Sequence, residues 1–337
     1  MNNSNRKPKR KLAIGLTVSV LTVGGILYGL ADRYLIEHVE VVVAQPTVAA
    51  ASTTVAANAG ASGSTTQTAA SATSTAEAEQ STAATAATAD DWNYTSDTMS
   101  IAIQKVETGS GEDKVTYYVA DVQLKSAANL LTAFADNAFG RNIIANTSDI
   151  ASANNAIFAI NGDYYGFRDN GVIIRNGTLY RDEPARTGLA MYSDGTMASY
   201  NEEDISAEEL LAQGVTNTFS FGPVLVQDGT AATDLDDVKI DNNFGNRTID
   251  GANPRTGVGI ISPNHYVFVV VDGRQANYSR GMTLNELAQL FEDLGATEAY
   301  NLDGGGSSTM YFNGRVVNSP GRQGEERGVS DIIYLAE

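Results

Sequence analysis

Gly171-Val-Ile-Ile-Arg175-Asn176-Gly177-Thr178-Leu-Tyr-Arg181 sets an Asn-Gly pair between two runs suited to strands. A two-residue type I′ turn needs positive φ at both centres, and Asn followed by Gly meets that need at little steric cost. The stretch therefore reads as a tight antiparallel hairpin. The same grammar recurs. Leu189–Tyr192 and Thr196–Tyr200 flank Ser193-Asp194-Gly195, and Thr309–Phe312 and Arg315–Val317 flank Asn313-Gly314. Val258–Ile261 and His265–Val271 flank the longer turn Ser262-Pro263-Asn264. Met99–Val106 and Val115–Leu124 alternate in the manner of half-buried strands.

Helical signals are few. Ser206-Ala-Glu-Glu209 and Thr283-Leu-Asn-Glu286 each open a helix with a capping box, and Gly214 and Gly295 supply the stops. In the second, Leu284, Leu287, Ala288, Phe291 and Leu294 fall at helical spacing. Asn129–Ala138 is expected as a third helix. The fold class that follows is α+β: a curved, mixed or largely antiparallel sheet core with a few helices, over residues 92–337. No period of about 20–50 residues marks a solenoid or propeller.

Residues 1–91 read differently. Residues 1–11 form a basic tail containing Arg6-Lys-Pro-Lys-Arg-Lys11, and residues 12–31 carry no charge. Twenty residues at about 1.5 Å each span the roughly 30 Å core of a bilayer. Without a small-residue exit site, this run reads as an uncleaved transmembrane signal anchor and not a cleaved leader. Basic flanks stay cytoplasmic, so the expectation is a single-pass cell-membrane protein with its C-terminal domain extracytoplasmic. Residues 32–91 read as a low-complexity linker: 35 of the 47 residues from Ala44 to Asp90 are Ala, Ser or Thr. Such a segment buries too little to offset its ordering entropy, which makes it a stalk with a span of roughly 40 Å.

Composition removes whole classes of chemistry. The 337 residues include no Cys and two His, His38 and His265. A disulfide framework, a thiolate metal site and a cysteine nucleophile are excluded, and a Ser-His-Asp triad has few ways to form. The net charge of −18 argues against nucleic acid as a partner.

Three acids follow directly on strand-like runs: Asp163 in Asn161-Gly-Asp163-Tyr164-Tyr165, Asp272 in Asp272-Gly273-Arg274, and Asp303 in Asp303-Gly304-Gly305-Gly306-Ser307-Ser308. Ordinary turn chemistry accounts for a single Asp-Gly. Three successive glycines are costly in backbone entropy and leave N–H groups open to an anion. The P-loop lysine is missing, which argues against a nucleoside triphosphate. Arg255, with Thr256 beside it at a strand entrance, and Arg274 add guanidiniums suited to phosphate. Tyr164 offers a stacking face for a sugar. If the three strands share a rim, the carboxylates and guanidiniums meet around one glycine-lined pocket.

Ala159-Ile-Asn-Gly-Asp163-Tyr-Tyr, Phe221-Gly-Pro-Val-Leu225, Arg255-Thr-Gly-Val-Gly259, Asp272-Gly-Arg274, Gly281-Met-Thr283 and Asn301-Leu-Asp-Gly-Gly-Gly-Ser-Ser308 together resemble the phosphodiester glycosidase family. The resemblance covers roughly residues 130–335. Asp163 departs from it, standing where a small residue is expected. What it implies is hydrolysis of a sugar-1-phosphodiester to free sugar and phosphomonoester, acting on envelope or exopolysaccharide glycopolymers. Asp303 is then the central carboxylate, with Asp272 or Asp163 its partner. The substrate-binding set is Asn161, Tyr164, Arg255, Thr256, Arg274, Gly304, Gly305, Gly306, Ser307 and Ser308. Expected partners are a glycan or sugar-phosphate polymer and, through residues 12–31, the membrane. Two alternatives stay open: a non-catalytic glycan-binding module, and a phosphodiesterase assisted by a divalent cation. The sequence assigns no metal ligands and no other cofactor.

Overall fold

His265-Tyr-Val-Phe-Val-Val-Val271 is apolar at nearly every position, as a strand buried on both faces must be. A computed structural model of the chain, which describes residues 22–43, 87–236, 238–240 and 251–337, puts this strand at the centre of a nine-stranded sheet. Its strands run in the order Thr230–Ala231, Val224–Gln227, Glu298–Asn301, Arg255–Ser262, His265–Val271, Val115–Leu124, Met99–Thr108, Asn93–Thr95, Thr88–Ala89. A five-stranded sheet is ordered Arg315–Val316, Met310–Phe312, Phe158–Asn161, Asp331–Leu335, Leu130–Phe134. Every strand pairing among the described residues is antiparallel. The expected α+β class with a largely antiparallel sheet stands.

The period of two sorts the side chains. Phe268 and Val270 join Ile101, Ala120 and Val122 against Phe158, Ile160, Met310, Phe312 and Ile333 of the smaller sheet. Val267, Val269 and Val271 point the other way, onto Leu284, Leu287, Ala288 and Phe291 of helix Leu284–Asp293. Helix Thr147–Ala153 covers the outer face of the smaller sheet through Ile150 and Ala151. The Gly-Val-Gly of Arg255–Ser262 has a packing reason. A Cβ on Gly257 or Gly259 would lie 2.6 or 2.8 Å from the Phe291 ring, so the glycines make room for that ring.

The local signals behave as their chemistry requires. Asn176 and Gly177 have φ of 50° and 77°, and Asn313 and Gly314 have 46° and 87°. Both expected capping boxes are present, at Ser206–Glu209 and Thr283–Glu286.

Three expectations need correction or bounding. Asn129–Ala138 is not a helix. Leu130–Phe134 pairs with Asp331–Leu335, and a 3₁₀ turn leads into the strand Ala138–Arg141. Burial of Leu130, Ala133 and Phe134 between neighbours overrides the helical propensity of Ala and Leu. Nor is all of 32–91 linker: His38–Val42 pairs with Ala138–Arg141, and Thr88–Ala89 with Asn93–Thr95. Residues 1–21 and 44–86, which hold the basic tail, half of the expected anchor and most of the low-complexity stretch, lie outside the described residues. Residues 22–34 are helical, and no described helix is long and apolar enough to cross a membrane.

Gly257→Ala should lower stability by about 1–3 kcal/mol through overpacking, measured by urea unfolding. In a Phe291→Ala background the same substitution should cost much less, because the clashing ring is gone. Equal costs in both backgrounds would refute this packing account.

Candidate active site

Asn161 ends the strand Phe158–Asn161 with its side chain fully buried, so its amide must find partners inside the protein. Its Oδ1 accepts from Thr256 Oγ1 at 2.8 Å and from the Thr309 backbone N–H at 3.3 Å. Its Nδ2 donates to the Asp303 carbonyl at 2.7 Å. One side chain thus ties the smaller sheet to the larger one and to both ends of the glycine loop.

The three glycines are fixed by what approaches them. A Cβ on Gly304 would lie 2.8 Å from the Pro254 carbonyl oxygen, and one on Gly306 3.2 Å from Arg327 Cβ. Gly305 adopts φ of 67° and donates its N–H to Pro254 O at 2.9 Å. Ser308 is anchored from outside the loop, its carbonyl accepting from Asn318 Nδ2 at 3.0 Å.

Asp303 sits at the start of this loop with 13 % of its side chain exposed. One carboxylate oxygen accepts from the Gly304 N–H at 2.9 Å, and the other pairs with Arg327 Nη2 at 3.0 Å. Arg327 also donates to Ser307 Oγ at 2.6 and 3.1 Å and to the Gly304 carbonyl at 3.2 Å. Arg274, at φ of 59°, is oriented by Asn253 Oδ1 at 2.8 and 3.0 Å, and its Nη1 would lie 3.3 Å from a Cβ on Gly305. Burial, with the Arg327 and Arg322 guanidiniums nearby, draws Arg274 below its ordinary pKa. Three cations therefore gather at one loop of a strongly acidic protein. Arg255 lies beneath, buried, donating to the Met282 and Gly251 carbonyls at 3.0 and 2.8 Å.

The other two carboxylates are held by donors of their own. Asp272 is buried and accepts from Tyr278 Oη at 2.8 Å, Asn318 Nδ2 at 2.8 Å and the Ser319 N–H at 3.0 and 3.1 Å. Burial pushes its pKa up to about 6 against those donors. Asp163 is wholly buried, accepting from the N–H groups of Tyr165 at 2.9 Å and Ser220 at 3.1 Å and pairing with Arg175 at 3.2 Å. The same guanidinium pairs with Asp331 at 2.7 Å and lies over the Phe219 ring at 4.5 Å. Burial raises the Asp331 carboxyl, and one cation stands between two acids. Gly162 is required here, because a Cβ would overlap the Asp331 carboxylate. Tyr164 stacks on Phe167 at 4.6 Å, with the Arg168 guanidinium 5.4 Å from its ring centroid.

Asn161, Thr256, Asp303, Gly304, Gly305, Gly306, Ser307 and Arg274 thus converge. Arg255 holds the Met282 and Gly251 carbonyls, Asn318 links the Asp272 carboxylate to Ser308 at the loop's end, and Asp163 has its own set of partners. Arg327, Arg175, Asp331, Asn318 and Tyr278 are additions from the structure. Arg175 was signalled by its place in the otherwise apolar run Gly171–Arg175, whereas Arg327 follows two glutamates and reads as solvated surface. Among the described residues no group of three His, Asp or Glu could hold a metal ion.

A family model described as Phosphodiester glycosidase matches residues 154–336. The chain is 33 % identical over 196 residues to the SPbeta prophage-derived uncharacterized protein YomE of Bacillus subtilis strain 168, covering 56 % of this chain and 29 % of that protein. It is 30 % identical over 156 residues to N-acetylglucosamine-1-phosphodiester alpha-N-acetylglucosaminidase of Bos taurus, covering 43 % and 29 % respectively. It thus spans less than a third of the length of these curated relatives. Among solved structures, the zebrafish N-acetylglucosamine-1-phosphodiester alpha-N-acetylglucosaminidase catalytic domain, auto-inhibited by its pro-peptide, superposes with a TM-score of 0.56 at 20 % identity. That match covers 72 % of this chain and 84 % of the other, and shows a shared fold.

Arg175→Met should cost about 3–5 kcal/mol at neutral pH, since it strands two buried carboxylates. Denaturant midpoints should show the loss shrinking at acid pH as the Asp331 carboxyl, raised by burial, protonates; a loss independent of pH would contradict the pairing. For Asp272 the folded pKa of about 6 exceeds the unfolded value near 3.9, so the stability it contributes is greatest below about pH 4 and declines as pH rises through 6. The deficit of Asp272→Asn relative to the parent should therefore narrow between about pH 4 and 7. A constant gap would mean that burial does not govern this carboxyl.

Proposed function

The chain belongs to the phosphodiester glycosidase family, and from that membership we propose that residues 92–337 hydrolyse sugar-1-phosphodiester bonds, releasing free sugar and a phosphomonoester. The observation that carries the reading is Asp303, a partly exposed carboxylate on a glycine loop ringed by Arg327 and Arg274. Breaking the C1–O bond leaves an oxocarbenium-like carbon, which a neighbouring carboxylate stabilises or traps. The bond's electrons leave with the phosphate oxygen, and water supplies the new anomeric hydroxyl. Arginines suit the phosphate end, because a guanidinium presents two parallel donors to its oxygens. The exposed Arg274 and Arg327 carry that role, with the Gly304–Gly306 backbone allowing close approach.

Asp163 and Asp272 take positioning roles. Asp163 holds Arg175 and the backbone of Tyr165 and Ser220, and Asp272 holds Asn318, which in turn fixes Ser308. The uncharged run 12–31 behind a basic tail supports an anchored, single-pass protein with this domain extracytoplasmic. In that setting the substrates are glycopolymers of the envelope or exopolysaccharide with sugar-phosphate links. The name of the Bos taurus relative supports a phosphodiester-linked sugar as the bond attacked.

Incubation with a panel of hexose and N-acetylhexosamine 1-phosphodiesters should yield free sugar and phosphomonoester, resolved by chromatography. Asp303→Asn should lower kcat/KM by about 100-fold or more while the fold is kept. Release of a sugar 1-phosphate, or undiminished turnover by the variant, would overturn the proposal. Binding without any turnover by the parent would favour a glycan-binding module instead.

A further inference from the structure

The edge strand Ala138–Arg141 is shaped around residues that precede it in the chain by about a hundred positions. His38 stands opposite Arg141, Val39 opposite Gly140, Val41 opposite Phe139 and Val42 opposite Ala138. A Cβ on Gly140 would overlap the His38 carbonyl, so the absent side chain at this position is explained by the docked segment. Next to it, Asn142 adopts φ of 60° and is buried. Its Nδ2 donates to the carbonyls of Asp32 at 3.2 Å and Ile36 at 2.7 Å, catching the end of helix 22–34. At the other end the Val43 N–H donates to Asn137 O at 2.7 Å, and its side chain packs on the cluster of Phe134, Phe139 and Tyr165. A backbone ladder, a side-chain clamp and an apolar plug therefore act on one twelve-residue stretch. The chain is described again from residue 87, and Thr88–Ala89 is the outermost strand of the nine-stranded sheet. Both flanks of the low-complexity stretch are thus hydrogen-bonded into one domain.

We propose that the Ala138–Arg141 edge, with Gly140 and Asn142, is a receptor for residues 32–43, so that residues 44–86 join two points of a single domain and do not separate the domain from the helix. Strand addition of this kind draws affinity from main-chain hydrogen bonds and register from the side chains beside them. The consequence for the membrane rests on the proposed anchor at residues 12–31. Three residues lie between helix and strand, a reach of at most about 10 Å. A flexible spacer of 43 residues would instead allow roughly 35 Å. The bond that the domain attacks is then one lying at the membrane surface, presented to a domain of fixed orientation.

The chain has no cysteine, which makes the docking directly measurable. Directly opposed residues in an antiparallel pair are about 4.5–5.5 Å apart at Cα, within disulfide range. In the full chain in detergent, His38→Cys/Arg141→Cys should form an intrachain disulfide in most molecules under mild oxidant, while His38→Cys/Glu112→Cys should stay reduced. Cutting at a protease site inserted between residues 44 and 86 should leave the oxidised fragments joined until reductant is added. In the chain without cysteines, Val39→Pro/Val41→Pro should raise amide exchange at residues 138–141 by about tenfold or more. Equal cross-linking in the two cysteine pairs, or unchanged exchange in the proline variant, would overturn the proposal. None of these readouts involves turnover, so they stand apart from the fate of the glycosidase reading.

Discussion

A loop of three glycines cannot hold its own shape, because each glycine gives up more backbone freedom on folding than any other residue. The structure answers that constraint with one amide. Asn161, buried at a strand end, donates to the Asp303 carbonyl and accepts from Thr256 and Thr309. Its position is set by the core strand that carries it, so the loop inherits the rigidity of the two packed sheets. Pro254, Asn318 and Arg327 complete the restraint from three other directions. Preorganisation of this kind is what lets fixed charges act on a reacting centre without rearranging.

The three carboxylates are sorted by environment. Asp163 and Asp272 are buried and meet three or more donor groups each, and they hold neighbouring backbone and side chains in place. Asp303 keeps some exposure and lies close to Arg327 and Arg274. A chain with net charge −18 would repel an anionic substrate over most of its surface. The local gathering of Arg274, Arg322 and Arg327 supplies an exception beside the Asp303 loop, where the proposed reaction would place a phosphate.

Much of the fold was legible because its punctuation is local. Asn176-Gly177 and Asn313-Gly314 specify their turns, and Ser206–Glu209 and Thr283–Glu286 cap their helices whatever surrounds them. Leu130–Phe134 was not legible, since its strand character comes from pairing with Asp331–Leu335 two hundred residues away. The short helix Thr147–Ala153 has too few turns to show a period. In the site, Asp303 and its glycines stood out by composition. The inward turn of Asp163 did not, because it depends on Arg175 arriving from a hairpin and Asp331 from the C-terminal strand. Arg327 looked like surface for a similar reason: its partner lies in a different loop.

The central claim is that a carboxylate among guanidiniums assists departure of phosphate from an anomeric carbon. Hydrolysis of a sugar-1-phosphodiester in water enriched in oxygen-18, with mass analysis of both products, tests it most directly. The account predicts the heavy oxygen in the anomeric hydroxyl of the released sugar and none in the phosphomonoester. Label in the phosphate group would show attack at phosphorus and contradict it.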